Sequence, residues 1–173
     1  RPRPHAGVPD GVLPAAWSGK LFSRVMFGSA LTAAGGYDGA LDVLRRYTVD
    51  EQAAQQAFGE TWQAWWQAGT GDDAGTAPWQ PGTGANWKQA PDGLGDWTQW
   101  SDLRGFTGMV WFRAAVDLTA AQAAGDATLA LGAVDEVDQT WINGRIVGNT
   151  FGYGTERTYP VPADLLREGE NVI

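Results

Sequence analysis

A mainly β fold, a sandwich or jelly roll preceded by a helical segment, is what three features of this sequence predict. The last third is a series of short runs rich in β-branched and aromatic residues, separated by turn signals. Asn143-Gly144 stands between two apolar runs, the strongest short hairpin signal, because both turn residues must take positive φ. Helical periodicity is confined to residues 38 to 68, and no parallel βαβ series can be drawn.

Three stretches follow, 1–36, 37–69 and 70–173. The first is rich in Pro, Ala and Gly. Val12-Leu13 reads as the end of a buried strand, bracketed by Pro9 and Pro14, and Gly35-Gly36 closes the stretch as a turn. In the second, Asp38 is placed to cap a helix running through Leu41, Val43 and Leu44 to Tyr47. Thr48 to Glu51 has the spacing of a capping box. Ala54, Phe58, Trp62 and Trp65 then share one helical face, and Gly69 ends the helix.

The third stretch begins as a loop to residue 107, punctuated by Trp79, Trp87, Trp97 and Trp100. A loop that long in a packed domain needs its own side chains to hold it, or serves a site. Strands are expected at Met109 to Leu118, with Val110, Phe112, Ala114 and Val116 on one face. Thr128 to Val134 follows, with Leu129 and Leu131 facing one way. Val137 to Ile142 and its return Arg145 to Val147 form the hairpin. Tyr159 to Val161 is a further extended piece, and Glu168-Gly169 turns into Asn171 to Ile173.

Of 173 residues, 43% are hydrophobic and 18% charged, a globular composition. The net charge of -8 repels phosphate backbones and argues against a nucleic-acid partner. No apolar run approaches the ~20 residues that span a bilayer, so no membrane partner is expected. Without cysteine there is no disulfide, thiolate metal site or cysteine nucleophile. Both ends read as cut: Arg1 is not an initiator methionine, and Ile173 falls inside a strand.

The succession Met109-Val110-Trp111-Phe112-Arg113, Leu129 to Asp135, Trp141-Ile142-Asn143-Gly144, Val147-Gly148 and Val161 to Ile173 resembles a galactose-binding-like jelly roll. That domain is the sugar-binding domain of β-galactosidase-type glycosidases and an inserted domain of sialate O-acetylesterases. The run Gly132 to Trp141, Gly152-Tyr153-Gly154 and a helix ending in Trp62-Gln63-Ala64-Trp65-Trp66 are most similar to the second family. The resemblance covers residues 30 to 173. Upstream, Trp17-Ser18-Gly19-Lys20 stands where the esterases carry a "WGGT" turn, keeping Trp17 and Gly19.

The resemblance implies that 1–36 is a partial, diverged remnant of an α/β (SGNH-type) hydrolase domain, with Gly19 as an oxyanion-turn candidate. It also implies a 70–173 sandwich truncated at its C-terminus. The parent would be a periplasmic or secreted serine esterase removing O-acetyl groups from sialic acid or other acetylated glycans. The partners implied are a glycan or acetylated sugar and the remainder of the esterase catalytic domain. The family's serine and histidine motifs fall outside this chain. Its one histidine, His5, is flanked by Pro4 and Ala6, and no Ser–His pair can be built on it. No catalytic residue is therefore expected here, and the chain alone is expected to be inactive on esters.

Sugar recognition needs a flat apolar face and a few fixed polar groups. Trp97, Trp100, Trp141 and Tyr153, near Asp96, Gln99 and Asn149, are the carbohydrate-binding candidates. Trp141, in a strand beside a tight hairpin, reads more readily as sandwich core, and Trp97 and Trp100 read equally as packing against another domain. Asp135, Glu136 and Asp138 read as carboxylates bonded to backbone or to cations at a sheet edge, with glycoside hydrolysis or calcium as the rival uses. No metal or cofactor is expected. A binding module of a β-galactosidase-type glycoside hydrolase, or a purely structural insert, remains the alternative to the esterase fragment.

Overall fold

A computed structural model describes residues 28–70, 77–82, 87–91 and 95–173. Gly19, His5 and the Val12-Leu13 strand lie outside them. Three helices come first: α1 (Gly28–Ala34), α2 (Asp38–Tyr47) and α3 (Glu51–Thr70). Gly35 and Gly36, both at positive φ, make the expected turn between α1 and α2. Asp38 is the first residue of α2, not its cap, so it acts on the helix through its charge in the first turn. The capping box at 48–51 does not form. Thr48 instead closes α2, its hydroxyl donating to the Arg45 carbonyl, and Asp50 caps α3 by accepting from the Ala53 N–H at 3.0 Å.

The strands are β1 (Ala115–Leu118), β2 (Ala127–Ala133), β3 (Val137–Ile142), β4 (Arg145–Phe151), β5 (Glu156–Val161) and β6 (Gly169–Val172), with a short helix α4 (Ala120–Ala123) between β1 and β2. Thr119 and Gln122 form a reciprocal capping box on α4. Pairing is antiparallel and nested: β3 with β4, β2 with β5, β1 with β6. Each outer pair wraps the one inside it, which is the winding of a jelly roll. The β portion of the chain has this galactose-binding-like jelly-roll character.

Asn143 (φ 51) and Gly144 (φ 84) make the two-residue turn of the innermost hairpin. β4 runs four residues past the expected Val147. β3 and β4 are bulged, with Thr140 opposite Gly148 and Trp141 opposite Ile146. Ile146 faces α3 and Val147 faces β5, and the bulge puts Gly148 on the β5 side as well.

The hairpin is thereby buried on both faces. On one side lies α3 with a tryptophan cluster, in which Ala77, Trp79, Trp141 and Ile146 are buried and Trp62, Trp66 and Trp111 pack against them. On the other lie Ile142, Val147, Tyr159 and Leu165, joined by Leu129, Val161, Leu166 and Ile173. Gly59 of α3 meets Ile146 so closely that a Cβ would lie 2.5 Å from its Cδ1.

Three expected faces differ. Trp65 is 60% exposed, and Trp66, one residue on, enters the cluster instead. Ala54, Phe58, Trp62 and Trp66 are the spacing that faces the sheet. Only Ala115 to Leu118, extended by a two-way exchange between Ala114 and Ile173, joins a ladder in the 109–118 run. Phe112 and Val116 stay exposed because β6 is the sole partner of β1 among the described residues. Leu129 and Leu131 do not face one way, since a bulge between Ala130 and Gly132 leaves Leu131 unpaired and exposed. Gly132, at φ 74, supplies the left-handed residue that the bulge needs.

Gly148 tests the packing of the two inner pairs. A Cβ there would lie 2.2 Å from Tyr159 Cδ1, far inside carbon–carbon contact distance, on a ring fixed by its own hydrogen bonds. Gly148→Ala is expected to lower the unfolding free energy by about 1–3 kcal/mol, read as a fall in the urea midpoint at unchanged slope.

Candidate functional site

Two groups of side chains outside the apolar core carry defined polar geometry. The first surrounds Arg157. Strand alternation turns Asp138, Arg157 and Tyr159 into the space between β3–β4 and β5, and Arg157 is completely buried. A buried guanidinium must fill its donors. Its Nε donates to Asp138 Oδ1 at 2.9 Å, Nη1 to the carbonyls of Gly152 (2.6 Å) and Thr155, and Nη2 to the carbonyl of Glu136 at 3.1 Å. The other Asp138 oxygen accepts from the Tyr159 and Thr140 hydroxyls, both at 2.7 Å.

Arg157 thus ties the 135–138 approach to the 152–155 turn. Asp138 has no oxygen left for acid catalysis or a cation; its partners make it a structural carboxylate. Burial pushes the Tyr159 phenol well above its ordinary value, with the Asp138 charge adding to the rise and the Thr150 hydrogen bond opposing it.

The second group is an aromatic shelf on two 3₁₀ turns, Trp97–Gln99 and Ser101–Leu103. Asp96 starts the first by accepting from the Thr98 N–H at 2.9 Å, and its carboxylate also takes the Thr98 hydroxyl at 2.6 Å and the Gln99 amide at 3.3 Å. Those bonds, the Thr98 hydroxyl foremost, hold the Asp96 carboxyl below its usual range. Asp102 is lowered likewise, chiefly by Lys88, whose ammonium lies 2.5 Å away, with Ser101 assisting. Both carboxylates stay ionised at neutral pH and stand in solvent.

Trp97 and Trp100 are half-buried. Trp97 meets the edge of Phe106 at 6.3 Å and Trp100 that of Phe112 at 6.0 Å. The Arg113 guanidinium sits 5.7 Å from the Trp87 ring centre, and its Nη1 donates to the Gln80 carbonyl at 3.2 Å. Chemically the shelf is a set of flat, partly open rings beside fixed acceptors and an amide, the combination that takes the C–H face and hydroxyls of a pyranose.

The sequence candidates separate accordingly. Trp97 and Trp100 lie one 3₁₀ turn apart, Trp97 against Phe106 and Trp100 against Phe112. Trp141 does not join them: it is 7% exposed, stacked on Trp79 at 5.4 Å and 13°, so it belongs to the core. Tyr153 stands 72% exposed on the 152–155 turn, beside the Arg157 network. Asn149 is buried, its amide directed at the Gln55 carbonyl of α3 and its oxygen facing the Tyr47 hydroxyl. Sequence reasoning missed Arg157, Phe106, Phe112 and Arg113 as site-forming residues. For Arg157 the one signal was its alternation with Tyr159 in an otherwise inward-facing register.

Residues 109–171 match the family model of the galactose-binding domain of β-galactosidase. The match covers a little over a third of the chain, from the end of the shelf through the nested strands to β6. Among solved structures, one of Bifidobacterium dentium beta-glucuronidase complexed with coumarin-3-O-glucuronide is similar at 23% identity over 35% of this chain, with a TM-score of 0.32. The similarity spans 10% of that longer chain. No curated protein matches the sequence.

Removing one partner of a buried ion pair strands the other, which costs about 3–5 kcal/mol. Arg157→Met is accordingly expected to destabilise by that order, read by urea unfolding, and to free the 152–155 turn for rapid amide exchange. Tyr159 sets an alkaline limit. Its phenol ionises in the unfolded chain near 10 but stays protonated in the fold, so the unfolded state holds fewer protons above that pH. Stability should therefore fall as pH rises past about 10. Tyr159→Phe should flatten this part of a stability–pH profile.

Proposed function

We propose that this chain is the carbohydrate-binding module of a β-galactosidase-type glycoside hydrolase, holding a sugar on the Trp97–Trp100 shelf while catalysis is done elsewhere. The observation that carries this reading is the family match over 109–171, which includes the Phe112 and Arg113 that shape the shelf. The module's ligand is a glycan whose ring lies on an indole and whose hydroxyls reach Asp96 and Gln99. Tyr153, exposed on a pinned turn, is a second contact point for a longer glycan. A secreted or periplasmic parent fits such a substrate.

The second reading is the inserted jelly roll of a sialate O-acetylesterase-like carbohydrate esterase, docked on the remainder of that catalytic domain and serving acetylated glycans. It rests on the likeness of the run Gly132 to Trp141, of Gly152-Tyr153-Gly154 and of the helix ending in Trp62 to Trp66, and the family matched over 109–171 is not an esterase one. The first reading has the stronger support. A purely structural insert is the third outcome.

Calorimetric titration with β-galactosides and with O-acetylated sialosides separates them. Saturable binding of the galactoside is expected, weakened roughly tenfold or more by Trp97→Ala or Trp100→Ala, with little change at Tyr153→Ala for a monosaccharide. Binding confined to the sialoside would favour the esterase reading, and binding of neither would leave a structural insert.

A further inference from the structure

We propose that Asn143 is a deamidation site gated by the fold, and that its conversion unlatches β6. Asn-Gly is the dipeptide in which this chemistry is least hindered, because glycine has no side chain to shield its main-chain nitrogen. That nitrogen attacks the Asn143 Cγ. A C–N bond closes a five-membered imide and the side-chain nitrogen leaves as ammonia. Water then opens the ring at either carbonyl, giving aspartate or isoaspartate. The only co-reactant is water.

The hairpin cannot avoid the pair. Both residues take positive φ, and a Cβ on Gly144 would lie 2.9 Å from Gln80 Oε1 and 3.4 Å from Pro81 Cδ. The fold therefore keeps a labile dipeptide at its innermost turn.

It also restrains it. Asn143 Nδ2 donates to the Leu165 carbonyl at 2.9 Å and to Asn171 Oδ1 at 2.8 Å. Its Oδ1 accepts from the Val172 N–H at 3.0 Å, and its own N–H donates to the Val172 carbonyl at 2.8 Å. Every polar atom of the side chain is directed at β6 and the segment before it. Cγ reaches the Gly144 nitrogen only after these bonds open, so the reaction follows local unfolding.

The product no longer fits the latch. An aspartate keeps the acceptor for Val172 but sets a carboxylate oxygen against the Leu165 carbonyl and Asn171 Oδ1, where the amide donated. Asn171 is completely buried, and its remaining side-chain bonds, with the Arg167 N–H and the carbonyls of Arg167 and Gly169, stay within β6 and the turn that leads into it. The tie between β6 and the inner hairpin is then reduced to the two bonds with Val172, beside a new repulsion at Leu165 and Asn171. Conversion at Asn143 thus records that a molecule has opened, and makes reopening easier.

The test incubates three samples at neutral pH and follows Asn143 by peptide mass spectrometry: the intact chain, the chain in denaturing urea, and a synthetic peptide of residues 139–147. The peptide and the unfolded chain are expected to convert at similar rates, and the folded chain at least about tenfold more slowly. Equal rates in folded and unfolded chain would overturn the gating. Converted folded protein, separated by ion exchange, should show a lower Tm and faster amide exchange at Asn171 and Val172. Unchanged exchange there would overturn the latch. Should Asn143→Asp fail to fold, Asn143→Gly retains the turn without the amide. It should fold, resist conversion and show a β6 loosened at least as much, since it also lacks the acceptor for Val172; a β6 as protected as in the parent chain would overturn the latch equally.

Discussion

The β3–β4 hairpin is buried on both faces, and the remaining elements are arranged by what each face requires. A two-stranded hairpin alone in water is marginal. Here one face is covered by α3 and the tryptophan cluster, the other by β5, β2 and the 162–166 segment. Alternation sends the neighbours Ile146 and Val147 into different layers, and the bulge opposite Thr140 adds Gly148 to the side of Val147, against Tyr159.

The cluster face is held by area and ring geometry. Trp62 touches Trp65, Trp66, Trp79, Trp111 and Trp141 at centroid distances of 5.5–6.2 Å. Stacked and edge-on contacts alternate, as the quadrupoles of indole rings favour. The indole N–H groups of Trp111 and Trp141 are buried without a hydrogen-bond partner. That cost is offset by the contact area. The opposite face is held differently, through Asp138, Arg157, Tyr159, Thr140 and Thr150, where each charge and hydroxyl has a directed partner. An apolar face tolerates sliding, whereas the polar one admits a single register. The position of the exposed 152–155 turn derives from that register.

The shelf lies outside both cores and depends on them indirectly. Trp111 is drawn into the cluster, which leaves its neighbour Phe112 on the opposite side, against Trp100. Arg113, next again, reaches the Gln80 carbonyl and the Trp87 ring. Three consecutive residues thus join the interior to the candidate sugar surface, and they lie in the stretch shared with β-galactosidase galactose-binding domains.

Local chemistry was legible in the residues themselves. The Asn143-Gly144 turn, the β3 boundaries, the α2 span and the turn at Gly35-Gly36 depend on φ preferences and short-range periodicity, and the sequence alone determined them. The identity of the inward residue on α3 was not local: positions 65 and 66 both continue the stripe through Trp62, and Trp111, brought by a distant segment, packs against Trp66. Trp97 and Trp100 could be named as exposed aromatics, but their partners Phe106 and Phe112 required knowing where the chain returns. Arg157 is the clearest case. A charged residue in a strand reads as solvent-facing until its acceptors are known, and those acceptors, at 136, 138, 152 and 155, come from the start of β3, the residue before it and the turn between β4 and β5. Which residues form strands and turns follows from the chain; which faces become core, network or open surface was decided by tertiary structure, because burial depends on what other segments bring to the same place.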